Sequence, residues 1–256
     1  MAIDLQKIAN DLLAAHASKK PIDEKPELEN HAQAYQIQKM VAEKLGPRAG
    51  WKIGNSPSGK YVRAPMFKRT TFIGEAEIKR EFFNRCLVES ELAIVFKNSM
   101  PKKKLPYTTE EINSNIASIN VGIEICDSRL IHWPDCDPTW QLADSLTHGG
   151  YVLGSGLQAT QHKLSVDLHK KVTFKINIGT KNQPPRISIQ DTREHPFKDP
   201  TPIALWLVNE LILQNDQINA GDIITTGSFS VSTPINSGEI ATVEIEGFGK
   251  AVLIVN

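Results

Sequence analysis

Two glutamates stand two positions apart near the start of an apolar run, where a pair of carboxylates could bind a cation. Side chains alternate between the faces of a β-strand, so Glu89 and Glu91 point the same way. Carboxylates this close repel one another, and burying them without a partner is costly. The face is therefore either exposed to solvent or occupied by a cation, and the pattern alone leaves both interpretations open.

A third carboxylate, Glu124, belongs to a second strand-like run at residues 119–126. The residues on its face are Asn120, Gly122 and Cys126, which are small enough to leave room for a ligand. Asp127 and Arg129 follow where this strand should end. A local ion pair or a turn cap explains those two residues as well as a functional role does.

A lysine lies in a short apolar segment flanked by glycines, GWKIG at residues 50–54. Lys52 could stabilise an anion, or transfer a proton if its pKa were lowered. The alternative is a surface lysine whose aliphatic stem covers apolar neighbours while its ammonium group reaches water. Gly227, after the predicted strand at 223–226, could bring backbone close to a substrate, although a turn glycine needs no function.

The elements that must position these side chains change character near residue 50. Residues 1–50 are predicted to be a helical region, with amphipathic helices at 3–17 and 28–45 and a stop signal at Gly46-Pro47. Residues 51–256 are predicted to be a strand-rich catalytic body, and the two parts form one structural domain. Its strands are predicted at 86–96, 119–126, 151–153, 171–178, 223–226, 241–245 and 251–255.

Two helices interrupt these strands. One begins at a capping box, Thr108 and Glu111, and leads to residue 119. The other begins with Thr201 as N-cap and Pro202 at the first helical position. This helix is apolar on nearly all sides, so it is expected to be buried. A hairpin at 247–249 joins the last two strands. Because strands and helices do not alternate regularly, the sequence predicts an α+β fold.

Composition excludes several classes of protein. The chain has 256 residues with 29 basic and 29 acidic side chains, so its formal charge is zero, which argues against a nucleic-acid partner. No apolar run approaches the roughly 18 residues that span a bilayer, so no membrane association is expected. Asp4 and Asp11 argue against a secretory signal, and the three cysteines match no metal-binding spacing. A cytoplasmic protein with reduced cysteines is expected.

The motifs together resemble the fumarylacetoacetate hydrolase superfamily, in its branch of 2-hydroxypenta-2,4-dienoate (2-keto-4-pentenoate) hydratases and 4-oxalocrotonate decarboxylases. The matching segments, in the family's order and spacing, are GWKIG, ESELAIVF, EICDSR, ADSLTHGGYVLG, GDIITTG and GFGKAVLIV. They cover essentially the whole chain. The resemblance implies a mixed β-sheet roll of the superfamily's C-terminal type behind a helical N-terminal region, and a homo-oligomer.

The resemblance also implies a site and a reaction. Glu89, Glu91 and Glu124 would bind Mg²⁺ or Mn²⁺, which prefer hard oxygen ligands, and Lys52 would be catalytic. The substrate would be a small 2-hydroxy-2,4-dienoate, or its 2-oxo form, from aromatic-compound breakdown. The implied enzyme is a hydro-lyase that makes a 4-hydroxy-2-oxo acid. A decarboxylase, a C–C bond hydrolase, or an inactive accessory or binding relative are the alternatives.

Some positions depart from the family pattern where its members line the substrate pocket. Arg63 stands where many members have an acid, and Asp144-Ser145 replaces Asp-Asn. Substrate-binding roles are expected for Arg63, Asp144, Ser145 and Gly227. A guanidinium pairs well with a carboxylate, so Arg63 predicts a preference for a substrate with a second, distal carboxylate. The alternative is that Arg63 points to solvent or pairs with Glu75 or Glu77.

Overall fold

The computed structural model describes residues 3–159 and 171–256. Its helices are α1 (Leu5–Ser18), α2 (His31–Leu45), α3 (Thr109–Ser114), α4 (Pro138–Ala143) and α5 (Thr201–Leu213). The first two begin where a polar side chain caps free backbone amides: Asp4 accepts from the Lys7 amide at 2.9 Å, and Asn30 accepts from the Gln33 amide at 3.1 Å. The capping box predicted at Thr108 is present and starts α3.

The described residues form thirteen strands. They are β1 (Arg48–Asn55), β2 (Tyr61–Phe67), β3 (Thr71–Ile73), β4 (Ala76–Ile78), β5 (Leu87–Phe96), β6 (Ile116–Cys126), β7 (His148–Gln158), β8 (Val172–Thr180), β9 (Ile187–Arg193), β10 (Ile223–Ser228), β11 (Thr233–Pro234), β12 (Glu239–Ile245) and β13 (Gly249–Val255). Every strand predicted from the sequence is among them.

The strands form two mixed sheets. The larger has the order β2-β1-β10-β5-β6-β7-β3, with β11 paired to the start of β5. Most of its pairs are antiparallel, but β1 runs parallel to β10 and β3 runs parallel to β7. The smaller sheet has the order β4-β13-β12-β8-β9, and the predicted hairpin joins β12 to β13. The α+β fold class with mixed sheets is therefore confirmed.

The main core lies where one face of the larger sheet meets the smaller sheet and α5. The larger sheet contributes Leu92, Ile94, Val121 and Ile123, and the smaller sheet contributes residues such as Val243. The apolar strand faces are thus removed from water, which is the main favourable contribution to folding. The opposite face of the larger sheet is left to hold polar side chains.

Helix α5 starts one residue earlier than the sequence predicts. Pro200 is the N-cap, and Thr201 is already helical. The Asp199 side chain accepts a hydrogen bond from the Thr201 amide at 2.8 Å, and so satisfies the first backbone amide of the helix. One side of the helix is buried, including Ile203, Leu207 and Leu211, while Trp206 on the other side is only partly covered.

The N-terminal helices pack together in a second core. Leu12 of α1 and Ile37 of α2 meet Trp140 of α4 and Val62 of β2. Strand β1 begins at Arg48, so its first three residues lie in the part predicted to be helical. Within residues 3–159 and 171–256, no helix combines the length and apolarity needed to cross a bilayer.

Candidate functional site

The pairing of β5 with β6 brings the predicted glutamates onto one face of the larger sheet. Glu89 lies directly opposite Glu124, and Glu91 lies opposite Gly122. Directly opposite residues of an antiparallel pair point to the same side. Glu91 and Glu124 are buried, at 1% and 0% exposure, whereas Glu89 is only partly buried. The solvent-exposed interpretation is therefore wrong for Glu91.

Lys52 reaches the same face from β1. Its Nζ lies 3.1 Å from Glu124 Oε1, and its side chain is 12% exposed, so it is not a surface lysine. Burial opposes the charge of Lys52, but attraction to Glu124 and more weakly to Glu89 and Glu91 raises its pKa above the ordinary value. Burial likewise opposes ionisation of Glu124, but Lys52 and then His148 hold the pKa of that carboxyl below its usual value.

His148 is a second contact of Glu124 that the sequence did not assign to the site. Its Nδ1 lies 2.9 Å from Glu124 Oε1, and the ring is buried. Residue 148 is the first residue of β7 and pairs with Cys126. His148 therefore lies beside the last residue of the strand that carries Glu124. The only indication of this contact in the sequence was that His148 follows shortly after Asp144-Ser145.

Tyr151 is the other residue that sequence reasoning missed. It pairs with Glu124 across β6 and β7, and its hydroxyl fills the position that a Cβ at Gly122 would occupy. The space that the sequence predicts for a ligand beside Gly122 is thus taken by this hydroxyl. Burial, with repulsion from Glu91 and Glu124, raises the pKa of Tyr151 well above its usual value, so the phenol stays protonated.

Several buried polar atoms at this face have no hydrogen-bond partner among the described residues. They are Glu91 Oε2, Glu124 Oε2, His148 Nε2, the Tyr151 hydroxyl and Thr225 Oγ1. Burial and the neighbouring Glu124 raise the pKa of Glu91 well above its ordinary value, although Lys52 opposes this. Buried polar groups are normally satisfied, so a cluster of orphaned ones indicates a place for a polar ligand.

The three glutamates suit a hard cation by chemistry but are not drawn together to ligand spacing. Ser232 donates a hydrogen bond to Glu89, and Lys52 pairs with Glu124. Among the described residues, the group of three whose possible ligand atoms lie within 4.8 Å of one another is Asp23, Glu24 and His132. Glu89, Glu91 and Glu124 stand further apart than that. The orphaned oxygens of Glu91 and Glu124 remain available to a cation.

Asp144 is held by Arg129, and the structure does not place it in contact with Lys52 or the glutamates. Arg129 Nε lies 2.5 Å from Asp144 Oδ1, and both side chains are 1% exposed. Burial raises the pKa of Asp144, although Arg129 opposes that shift. Arg129 also donates to the His148 carbonyl at 2.9 Å. Of the alternatives that the sequence leaves open, the local ion pair between Asp127 and Arg129 is not formed; Arg129 makes a longer-range pair with Asp144 and bonds to the start of β7.

Ser145 opens a left-handed turn between Asp144 and His148. Ser145, Leu146 and Thr147 have φ angles of 53°, 52° and 60°, a region that side chains other than glycine rarely adopt. Leu146 Cδ1 lies 3.6 Å from the position of a Cβ on Gly54, in the strand that carries Lys52. Ser145 therefore shapes the wall of the site through the turn.

Arg63 is not brought to the site. It pairs with Ile53 across β1 and β2, so it points to the face opposite that of Lys52. Its guanidinium lies between the rings of Tyr35 and Trp51, 4.8 Å from each ring centre. It lines a separate cavity of about 670 Å³ beside α2 and α5. Among the described residues neither Glu75 nor Glu77 pairs with Arg63, so that interpretation is wrong, while its side chain remains partly exposed in this cavity.

Gly227 brings backbone close to an aromatic ring of the same chain. Its φ is +93°, and a Cβ there would lie 2.8 Å from the Phe197 ring. Next to it, Thr226 Oγ1 lies 2.9 Å from His195 Nε2. The close approach that the sequence suggests for a substrate is therefore made by the segment before α5.

Comparison with known proteins supports the resemblance inferred from the motifs. A 2-keto-4-pentenoate hydratase of Paraburkholderia phymatum and 2-keto-4-pentenoate hydratase 2 of Dechloromonas aromatica are each 25% identical over 162 residues. Each alignment covers 63% of this chain and 57% of the relative, so the chain spans little more than half the length of the curated relatives it matches. No family model matches the chain.

Solved structures share the fold. The 4-oxalocrotonate decarboxylase of Pseudomonas putida G7, complexed with magnesium and adipate, superposes with a TM-score of 0.78, 18% identity, and coverage of 98% of this chain and 97% of the decarboxylase. A 2-hydroxyhepta-2,4-diene-1,7-dioate isomerase of Mycobacterium marinum gives 0.54 at 16% identity, covering 82% and 75%. With the curated relatives, these similarities confirm the resemblance to the hydratase and decarboxylase branch.

Proposed function

We propose that this protein is a divalent-metal-dependent hydro-lyase that adds water to a 2-hydroxy-2,4-dienoate and yields a 4-hydroxy-2-oxo acid. The observation that carries the proposal is the convergence of Glu89, Glu91, Glu124 and Lys52 on one sheet face, beside buried oxygens that lack partners. The similarity to enzymes named as hydratases supports the same reaction class. The proposal includes a homo-oligomer in the cytoplasm, by resemblance.

Glu89, Glu91 and Glu124 would hold Mg²⁺ or Mn²⁺. Their donor atoms are all carboxylate oxygens, which suit these cations, and two of the oxygens are orphaned. When bound, the cation would supply positive charge opposite the negative charge that develops on the 2-oxygen of the substrate.

Lys52 would act through its charge. Because its pKa is raised, the ammonium group keeps its proton near neutral pH. It is therefore suited to bind the substrate carboxylate or to stabilise a developing anion.

Tyr151 and His148 would orient groups around that anion. The Tyr151 phenol keeps its proton, so its orphaned hydroxyl can donate a hydrogen bond to a substrate oxygen. The His148 ring is fixed by Glu124, which leaves Nε2 as its free edge. During hydration a proton moves to the far end of the dienol and water adds at C4, and we assign the guidance of these groups to the free hydroxyl of Tyr151 and the free ring nitrogen of His148.

The remaining sequence-based candidates would have indirect roles. Asp144 would position His148 through Arg129, and Ser145 would set the turn that covers the strand of Lys52. Gly227 would admit the Phe197 ring beside Thr226. Arg63 would have no direct role, because its side chain points to the opposite face of the sheet.

A decarboxylase is the second candidate function. The fold match to 4-oxalocrotonate decarboxylase covers nearly the whole chain, whereas the hydratase alignments cover 63% of it. Both reactions draw on stabilisation of negative charge at a 2-oxygen. The face that carries Lys52 and the glutamates therefore suits either.

Product analysis separates the two. Purified protein with Mg²⁺ or Mn²⁺ is mixed with 2-hydroxypenta-2,4-dienoate and, separately, with 4-oxalocrotonate, while ultraviolet absorbance is followed and products are identified by mass. Gain of one water from the dienoate supports the hydratase, and loss of CO₂ from the oxalocrotonate supports the decarboxylase. No turnover of either, with metal binding intact, would contradict both and favour a binding relative.

A further inference from the structure

The cavity of about 670 Å³ that Arg63 lines is separate from the face that carries Lys52. Trp51, Arg63 and Pro65 line it from β1 and β2, on the side of these strands opposite Lys52. Helix α2 forms another wall, and so does the end of α5 with the residues that follow it. We call this space the tryptophan cavity. Its volume lies within the range of ordinary ligand pockets.

Three buried nitrogens in the lining of the tryptophan cavity have no hydrogen-bond partner among the described residues. They are Arg48 Nε, Trp51 Nε1 and Arg63 Nε. Trp51 is only 4% exposed, so its indole N–H is withdrawn from water. Guanidinium and indole nitrogens donate hydrogen bonds and do not accept them. Since buried polar groups are normally satisfied, this wall lacks hydrogen-bond acceptors.

Arg63 also leaves the end of its side chain without a polar partner. The hydrogen bonds it makes within the described residues come from its backbone: the amide donates to the Tyr35 hydroxyl at 3.3 Å, and the carbonyl accepts from the Gln38 side chain at 3.2 Å. In the same residues no carboxylate oxygen lies within 4 Å of the guanidinium. Burial lowers the pKa of Arg63, and the groups that favour its charge, Tyr35 and then Glu210, oppose this only in part.

The charges that line the tryptophan cavity balance one another. The basic side chains are Lys39, Arg48 and Arg63, and the acidic ones are Glu43, Glu210 and Asp216. Arg48 pairs with Asp216 at 2.7 Å and also lies 3.6 Å from Asp222. A charged ligand would therefore lose its hydration without a net field to compensate it. A neutral ligand with a hydrogen-bond acceptor loses less on desolvation and meets the free donors.

We propose that the tryptophan cavity binds a small neutral carbonyl compound. Its oxygen accepts from the guanidinium of Arg63 and the indole of Trp51, and its apolar body packs against Pro65 and Phe67. A carbonyl oxygen has two lone pairs, so one oxygen can accept both hydrogen bonds. The apolar side chains favour burial of the rest of the molecule. The substrates of the proposed reaction are acids, so this site does not depend on the proposed function.

Calorimetric titration with acetophenone, a neutral ketone without a hydrogen-bond donor, tests the proposal. Benzoate and benzamidine are charged analogues of similar shape, and they should bind more weakly than acetophenone. In ¹H–¹⁵N spectra the indole N–H signal of Trp51, assigned with Trp51→Phe, should move to lower field as the ketone accepts from it. Arg63→Met should weaken acetophenone binding about tenfold or more, the scale for the loss of a hydrogen bond to a charged group.

Two control variants separate hydrogen bonding from charge. Lys39→Met removes a positive charge from an exposed residue of the same lining, and it should leave acetophenone binding unchanged. Glu210→Gln makes the lining net positive, so it should strengthen benzoate binding and leave acetophenone binding unchanged. Circular dichroism checks folding. If Arg63→Met does not fold, Trp51→Phe decides by weaker acetophenone binding, because phenylalanine keeps an aromatic ring and removes the donor.

Any of four outcomes would overturn the proposal: no saturable acetophenone binding up to on the order of 10 mM, an unmoved Trp51 signal, benzoate bound as tightly as acetophenone by the unmodified protein, or equal weakening in Arg63→Met and Lys39→Met. Lys52→Met must leave acetophenone binding unchanged. A loss there would assign the ligand to the opposite face of the sheet.

Discussion

The ammonium group of Lys52 lies 3.1 Å from Glu124 Oε1, and both side chains are withdrawn from water. Each charge depends on the other, because neither is hydrated. Breaking a buried pair from one side leaves an uncompensated charge, which is far more destabilising than the loss of an exposed pair. The pair therefore links the proposed chemistry to the stability of the fold.

Replacing Lys52 with Met should affect both properties. We expect a loss of at least about two orders of magnitude in rate, typical for one electrostatic group. We also expect a loss of about 3–5 kcal/mol in the free energy of unfolding without metal, because Glu124 stays buried without its partner. Turnover and urea unfolding measure the two effects, with Lys250→Met in an exposed position of β13 as control. Normal turnover and normal stability together would contradict the pairing.

Glu91→Gln should have opposite effects with and without metal. In EDTA at neutral pH the variant should be more stable than the unmodified protein, by about 1–3 kcal/mol, because it removes a buried carboxylate close to Glu124. With saturating Mg²⁺ or Mn²⁺ the unmodified protein should gain melting temperature by mass action, and the variant should gain less. Thermal melts under the two conditions check this.

Glu244→Gln is the matched control, since Glu244 lies exposed on β12. It should leave both melts unchanged. A melting temperature that neither cation moves in the unmodified protein would count against the proposed metal ligands. A Glu91→Gln variant less stable than the unmodified protein in EDTA would show that the carboxylate is compensated in some other way.

The sequence predicted well what depends on local periodicity. Alternation along β5 and β6 placed Glu89, Glu91 and Glu124 on polar faces, and the structure joins those faces. What it could not supply was the register between distant strands. Tyr151 reaches Gly122 only because β7 pairs with β6, and no local pattern reveals that a glycine gap is filled by a phenol from another strand.

The same limit explains the position of Arg63. Strand β2 was not predicted, so its pairing with β1 was unknown, and with it the face to which Arg63 points. Likewise an ion pair of Arg129 with Asp127 was one possibility in the sequence, but Arg129 pairs with Asp144, which lies fifteen residues along the chain. Long-range pairing decides both cases, and single-sequence patterns do not encode it.

Arg63→Ala should not discriminate between substrates. The sequence predicts selective loss on a substrate with a second carboxylate, but Arg63 lies on the face opposite Lys52. We therefore expect equal changes in kcat/KM for mono- and dicarboxylate dienols, and a stability loss of about 1–2 kcal/mol from the two ring contacts. Selective loss of about tenfold or more on the dicarboxylate would restore the substrate role.

Asp144→Asn should unfold the protein more readily without a selective effect on substrate binding. The change leaves the Arg129 guanidinium buried without its counter-charge, so a cost of about 3–5 kcal/mol is expected. Replacing both partners, Asp144→Leu with Arg129→Met, should be milder because no charge remains buried. Urea unfolding of the three proteins tests this. A fully stable Asp144→Asn variant with a raised KM would instead make Asp144 a substrate contact.

His195 should make the protein less stable in mild acid. Thr226 Oγ1 donates to the Leu92 carbonyl at 2.7 Å, so it accepts from His195 Nε2 at 2.9 Å, while the Phe197 amide donates to Nδ1 at 3.2 Å. The contact in which Nδ1 accepts requires the neutral ring, and burial lowers the pKa of His195 to about 4. A histidine in the unfolded chain takes up its proton near pH 6.5. The contribution of His195 to the free energy of unfolding is therefore complete above that pH and is lost as the pH falls toward 4.

Between pH 7 and pH 4 the unmodified protein should therefore lose up to about 3 kcal/mol in the free energy of unfolding relative to His195→Gln, which cannot titrate. Urea unfolding of both proteins across this range measures the difference, and parallel pH profiles would show that His195 is protonated equally easily in the folded and unfolded chains.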